Sequence, residues 1–198
     1  SNMVNSGIFR IGLLMKDKYQ SLIDHIGNGK DWDLSRKNGG VTMLPPCSYS
    51  KKSSPLIVGE YRGKIDALSG AIDFLQKNRA EYVVLADGDV IANIPIDEVI
   101  QQHIDAENDI TMVVTKKGKE SRLSTYCEMN RRKEIVDIRV GDSNDSKCKH
   151  EALGVYVMSR QYLIHLIADC VTHNCIHFER ELLTRALTDS KIGGYLFG

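Results

Sequence analysis

The residues with the clearest chemical potential are Asp87, Gly88 and Asp89, directly after the apolar run Tyr82-Val83-Val84-Leu85-Ala86. Such a run reads as a buried strand, and open α/β sheets bind ligands at the carboxyl ends of their strands. Carboxylates in a D-x-D spacing can hold a Mg²⁺ that bridges to nucleotide phosphates, neutralising charge during phosphoryl or nucleotidyl transfer. A solvated turn uses the same residue types, so the motif alone leaves both readings open. The second segment is Tyr61-Arg62-Gly63-Lys64-Ile65-Asp66-Ala67, where a polar loop enters a helix. Gly63 permits close backbone approach, the helix start offers N–H groups to an anion, and Arg62 and Lys64 add positive charge, which suits a phosphate. A basic helix start with Asp66 in its first turn is the structural alternative.

Other reactive side chains form no pattern. Five cysteines (Cys47, Cys127, Cys148, Cys170, Cys175) make an odd count without a C-x-x-C pair, so neither a disulfide framework nor a zinc site is indicated. His173 and His177 have i, i+4 spacing, but Asn174-Cys175 between them reads as a loop rather than a ligating helix face. Met112, Met129 and Met158 read as core filler, and Lys116-Lys117-Gly118-Lys119 as a solvated turn.

Apolar runs alternate with segments of helical period, which predicts βαβ units on a mostly parallel sheet. Strands are expected at Arg10 to Met15, Val41 to Leu44, Leu56 to Val58, Glu81 to Ala86, Ile110 to Val114 and Ala152 to Met158. Helical stripes stand at Tyr19, Leu22, Ile23 and Ile26; at Ile65, Leu68, Ile72 and Leu75; and at Ile96, Val99, Ile100, His103 and Ile104, the last with Pro95 suited to the first turn. Further helices are expected over Arg160 to Val171 and Phe178 to Leu187. From Ser121 to Val140 the alternation predicts antiparallel strands around the charged turn Asn130-Arg131-Arg132-Lys133. The long polar stretch Asp31 to Pro55, with Gly39-Gly40 and Pro45-Pro46, reads as a functional or mobile loop, and Gly141 to His150 as another mobile segment.

With 198 residues, 42% hydrophobic and 26% charged, one core and one globular domain are expected. Lys plus Arg and Asp plus Glu are both 26, which removes the positive field that nucleic-acid binders use and favours a small-molecule or protein partner. The apolar runs fall far short of the roughly 20 residues that cross a bilayer, and no signal-peptide pattern opens the chain, so no membrane association and a cytoplasmic location are expected. Both ends read as internal, with Gly193-Gly194-Tyr195-Leu196-Phe197-Gly198 resembling the start of a strand.

Four motifs in sequence resemble the glucose-1-phosphate adenylyltransferase (ADP-glucose pyrophosphorylase) family over nearly the whole chain. Ser1-Asn2-Met3-Val4-Asn5-Ser6-Gly7 matches that family's S-N-x-x-N-S-G. Tyr61-Arg62-Gly63, Asp66 and Ala67 match its Y-R-G-T-A-D-A, which is broken at Lys64 and Ile65. Gly88-Asp89-Val90 resembles G-D-H, and Ala152-Leu153-Gly154-Val155-Tyr156-Val157-Met158 resembles S-M-G-I-Y-V-F. The resemblance implies a Rossmann-like three-layer α/β/α sandwich of the nucleotide-diphospho-sugar transferase type, with a mixed, mostly parallel sheet, as a single partial nucleotidyltransferase-like domain over 1–198. The family's glycine-rich loop would precede Ser1 and its β-helix domain would follow. It implies Mg²⁺ at Asp89 and Asp87, and a ligand contact surface at Tyr61, Arg62, Gly63, Asp66 and Gly154 for ATP, ADP-glucose or a sugar phosphate. It also requires Asp89 and Gly63 to serve one cleft.

The departures point further. The lysine of the family's E-K-P motif is missing from Ile138-Arg139-Val140-Gly141-Asp142-Ser143-Asn144, the glutamine-rich stretch is replaced by Pro46-Cys47-Ser48-Tyr49, and the histidine of G-D-H by Val90. Losing charged phosphate contacts costs several kcal/mol of transition-state binding. Arg36-Lys37-Asn38-Gly39-Gly40-Val41, Leu44-Pro45-Pro46 and Gly63-Lys64-Ile65-Asp66-Ala67 resemble the regulatory, GlgD-type subunit, which partners a catalytic subunit in a heterotetramer. The expectation is a catalytically impaired regulatory subunit of bacterial glycogen synthesis, Asp89 being a vestigial catalytic residue. An active adenylyltransferase, a metal-dependent D-x-D glycosyltransferase and a purely structural partner are the alternatives. Without the strand that precedes Ser1, the sheet is expected to need completion by another segment or chain.

Overall fold

The computed structural model describes residues 8, 10–15, 21, 24, 40–44, 62–118, 125–141 and 147–198. The stripe at Tyr19, Leu22, Ile23 and Ile26, the strand expected at Leu56 to Val58, and Tyr61 lie outside the described residues. The chain divides into two compact units, one of residues 1–79 with 167–176, the other of residues 80–166 with 177–198.

In the first unit, β1 (Arg10–Leu14) and β2 (Gly40–Leu44) pair in parallel from Arg10↔Gly40 to Leu14↔Leu44. The predicted helix from Lys64 to Lys77 forms in two pieces, α1 (Lys64–Gly70) and α2 (Ile72–Lys77). They join at Ala71, whose N–H donates to the Leu68 carbonyl at 3.0 Å while its own carbonyl accepts from Leu75 N–H at 2.9 Å. Ile65, Leu68, Ala71 and Leu75 are buried; the break leaves Ile72 half-buried and makes Ala71 the core residue instead.

The second unit contains β3 (Tyr82–Ala86), α3 (Ile96–Asp105), β4 (Ile110–Lys116), β5 (Thr125–Met129), β6 (Ile135–Val140) and β7 (His150–Ser159). Then come α4 (Arg160–Thr172), whose last residues belong to the first unit, a π-helical turn (Phe178–Leu183), α5 (Thr184–Asp189) and β8 (Ile192–Leu196). The strands lie in the order β6-β5-β7-β4-β8, with β3 also paired to β7. β3, β4, β5 and β8 run one way; β7 and β6 run against them. The sheet is therefore mixed, and reversed β7 at its centre makes its own ladders antiparallel even though most strands share a direction.

Burial explains the sequence pattern. Ile110, Thr111, Met112, Val113 and Val114 of β4 have essentially no exposure, as expected for a continuous apolar run between neighbours. The β5–β6 hairpin turns at the predicted place, because the Asn130 side-chain oxygen accepts from the Arg132 and Glu134 N–H groups at 2.9 and 3.0 Å. Helix α3 begins at Ile96, with Pro95 capping it rather than occupying its first turn. Ile96, Val99 and His103 face the core, whereas Ile104 is exposed.

His103 is the buried polar residue of that helix, 3% exposed, with Nδ1 2.9 Å from the Thr111 hydroxyl and its ring edge-on to Tyr82 at 5.5 Å. Burial lowers its pKa, only partly opposed by Asp109. Below the ordinary pKa of about 6.5 the unfolded chain therefore takes up a proton that the folded chain refuses. Stability contributed by the neutral ring is complete above that pH and is lost as pH falls toward the folded pKa. His150, also lowered by burial and by Lys116 and Lys149, acts with the same sign. Urea unfolding is expected to show stability falling from pH 7 to pH 5, with a shallower slope in His103→Gln.

Candidate functional site

The acidic turn is built by an irregularity in β7. Pairing of β4 with β7 runs in step from Ile110↔Met158 to Met112↔Tyr156 and resumes at Val114↔Ala152. Val113 thus faces the three residues Leu153, Gly154 and Val155, a bulge whose central residue, Gly154, has φ +68°. On the opposite edge β3 stays in register to Ala86↔Val155, and the next N–H, that of Asp87, donates to the Gly154 carbonyl at 2.9 Å. A Cβ at position 154 would stand 2.5 Å from Asp87 Oδ2 and 3.0 Å from its Cγ. Glycine is needed there twice, for its left-handed backbone and for the room it leaves the carboxylate.

Two more groups meet at this end of the sheet. Tyr156, 2% exposed and two residues beyond Gly154, donates its hydroxyl to Glu179 Oε1 at a long 3.5 Å and stacks obliquely on Phe178 with ring centres 5.0 Å apart. Burial, then the negative charges of Glu179 and Asp87, hold its phenol well above the usual range. Asp87 and Glu179 thus act on one buried hydroxyl. Asp89 is exposed, in the turn closed by Val90 N–H on the Asp87 carbonyl at 3.4 Å. Tyr156 stands in the Ala152-to-Met158 motif, but its pairing with Glu179 had no warning in the sequence, since only the fold brings the helical segment after His177 to β7.

Among the described residues no three carboxylate, imidazole or thiol groups converge on a metal-sized point. Mg²⁺ commonly uses one or two carboxylates and completes its shell with water and substrate phosphates. The acidic turn offers two carboxylates, Asp87 half-buried and Asp89 exposed, too few for an all-protein cage. The described thiols, Cys127, Cys148, Cys170 and Cys175, form no disulfide and are buried, and burial raises the pKa of Cys127 to about 12.

The basic glycine segment belongs to the first unit. Gly63 is extended (φ −170°, ψ −173°), so the sign of φ does not demand glycine there. Close approach does, because a Cβ would overlap the Ile176 carbonyl oxygen. That carbonyl accepts from Ile65 N–H at 3.3 Å, so one of the helix-start N–H groups expected to face an anion is bonded within the protein. Arg62 and Asp66 close on each other, with Nε–Oδ2 at 2.8 Å and Nη2–Oδ1 at 3.0 Å, and the guanidinium draws the carboxyl below its ordinary pKa. The Arg62 side chain is 61% exposed. Asp66→Asn is therefore expected to cost less than about 1 kcal/mol in denaturant unfolding.

A family model described as nucleotidyl transferase matches residues 1–139, well over half the chain. The chain belongs to the nucleotidyl transferase family. Its fold is accordingly that of the nucleotide-diphospho-sugar transferases, in agreement with the mixed α/β sheet. Among curated nucleotidyl transferases it is similar to glucose-1-phosphate adenylyltransferase of Fervidobacterium nodosum, 32% identical over 204 residues that cover 100% of this chain and 47% of the relative. It is likewise similar to that of Thermotoga maritima, 32% identical over 100% of this chain and 46% of the relative. The protein of the same name from Clostridium perfringens is 31% identical over 82% of this chain and 40% of the relative. The chain spans about half the length of the curated nucleotidyl transferases it matches. No helix among its described residues is long and apolar enough to cross a membrane.

Proposed function

We propose that the chain is part of a regulatory, catalytically impaired subunit of the glucose-1-phosphate adenylyltransferase family, which modulates a catalytic partner subunit making ADP-glucose for bacterial glycogen synthesis. One contrast carries this reading. The Asp87 carboxylate, seated against Gly154, would supply the acidic half of a nucleotidyl-transfer site, while residues 138–144 contain no lysine where the family's sugar-phosphate cation is expected. In the segment where that lysine belongs, residues 138–144, the sole cation is Arg139, whose Nε is held by Asp137 Oδ2 at 2.8 Å. A missing charged hydrogen bond to phosphate weakens the transition state by about 2–4 kcal/mol, a factor of at least tens in rate.

In this reading Asp87 and Asp89 hold Mg²⁺, which supplies charge neutralisation for the nucleotide's phosphates. Gly154 leaves the space in which Asp87 is positioned. Joining glucose 1-phosphate to the α-phosphorus of ATP, with pyrophosphate leaving, would draw on a cation for the sugar phosphate, and in residues 138–144 Arg139 is engaged by Asp137 instead. The test is pyrophosphate release by the full-length protein from ATP and glucose 1-phosphate, alone and mixed with a catalytic subunit. No release alone and an altered rate in the mixture is expected; steady turnover alone overturns the reading in favour of an active adenylyltransferase, which the preserved Asp87–Gly154 seat also supports.

A further inference from the structure

The opposite end of the same sheet carries a pocket of about 330 Å³, lined by residues that include Tyr82, His103, Glu107, Asn108, Asp109 and Tyr162. β3 and β4 begin beside it, at Tyr82 and Ile110, and β7 ends there at Ser159, so it lies away from Asp87. Its floor is His103. The Thr111 hydroxyl, fully buried, receives Asn108 Nδ2–H at 3.1 Å and lies 2.9 Å from His103 Nδ1. An amide nitrogen cannot accept, so among these partners only Nδ1 can take the hydroxyl's own proton. That assignment puts the ring proton on Nε2, a donor on a ring that lines the pocket.

The rest of the lining decides what the donor meets. Glu107 and Asp109 are exposed carboxylates at the rim, beside the C-terminal end of α3, where Lys191 Nζ donates to the Ala106 carbonyl and offsets the helix's partial negative charge. The two carboxylates disfavour a phosphate. A bare cation would leave Nε2–H without an acceptor. Hydroxyl groups satisfy both demands, accepting from Nε2–H and donating to the carboxylates, while Tyr82 and Tyr162 offer aromatic surface to a ring's C–H face. We infer that this pocket is a binding site for an uncharged, polyhydroxylated ligand of monosaccharide size. The site is independent of nucleotide binding at Asp87.

The experiment follows the His103 imidazole ¹H–¹⁵N resonances of the full-length protein during titration with D-glucose, glucose 1-phosphate and inorganic phosphate. D-glucose is expected to shift the Nε2–H signal with a dissociation constant on the order of millimolar, and both phosphates to act at least about tenfold more weakly. Glu107→Gln, at the exposed rim, should narrow that gap by about threefold or more without disturbing the fold. His103→Phe, checked by circular dichroism, should abolish glucose binding measured calorimetrically. No shift at about a hundred times millimolar glucose, or an equal response to phosphate, overturns the inference. MgATP titrated in parallel reports on Asp87 separately, so either site can fail while the other stands.

Discussion

Gly154→Ala is expected to strain the backbone and dislodge Asp87 in one step. A left-handed alanine costs about 1–2 kcal/mol, and its Cβ, 2.5 Å from Asp87 Oδ2, adds an overpacking penalty of about 1–3 kcal/mol. The Asp87 backbone is tied through its own N–H to the Gly154 carbonyl, so the carboxylate must rotate out of its seat to make room. Thermal or urea unfolding reads the stability loss. Gly88→Ala is the control, since a Cβ there meets nothing within 4 Å and should change stability by no more than about 0.5 kcal/mol. If Asp87 serves Mg²⁺, nucleotide affinity measured with and without the ion falls at least about tenfold in Gly154→Ala and little in Gly88→Ala. Equal stabilities for the two variants would show that the bulge tolerates a side chain.

The second large effect is expected from Phe178→Ala. Phe178 is 2% exposed and packs on Tyr156, with buried Leu182 and Leu183 following in the same turn. Removing it should cost about 3–5 kcal/mol, a large share of the 5–15 kcal/mol that typically holds a domain together. Water reaching the cavity would also lower the Tyr156 pKa, which burial and two carboxylates hold high. The sign at alkaline pH follows. The unfolded phenol ionises near pH 10 while the folded one stays neutral, so wild-type stability declines as pH rises above that value. Urea midpoints between pH 8 and 11 should fall in the wild type, and Phe178→Ala should start lower and fall less steeply. A midpoint at neutral pH within about 1 kcal/mol of wild type would contradict the packing argument.

Much of the framework was legible because local chemistry and the tertiary result agree. Five consecutive apolar residues at Tyr82 to Ala86 announce a strand whatever lies beside it, and Asn130 followed by Arg131 and Arg132 makes a turn through its own side chain. Direction was not legible. β7 has the same apolar period whether it runs with or against β3 and β4, so a mostly parallel expectation did not reveal that its ladders are antiparallel. The break at Ala71 was hidden because apolar spacing continues through it. At the site, Asp87, Asp89 and Gly154 could be singled out from motifs, and the structure brings Asp87 and Gly154 into contact. The Tyr156–Glu179 and His103–Thr111 pairs stayed silent, because a partner distant along the chain or beneath a helix leaves no mark on spacing. Arg62 and Asp66 were visible as residues, but their closure on each other was not.

The π-helical turn at Phe178–Leu183 amounts to an α-helix with one surplus residue. Leu182 N–H reaches back to the His177 carbonyl at 3.4 Å, and this wider loop of backbone lets Phe178, Leu182 and Leu183 all point inward. Excising a single residue between them would let the coil tighten with its bonding intact, yet swing Phe178 about 100° around the axis relative to Thr184–Asp189. Chain length at this spot works as a rotary adjustment: a one-residue indel would re-aim an aromatic ring that no change of composition there needs to touch.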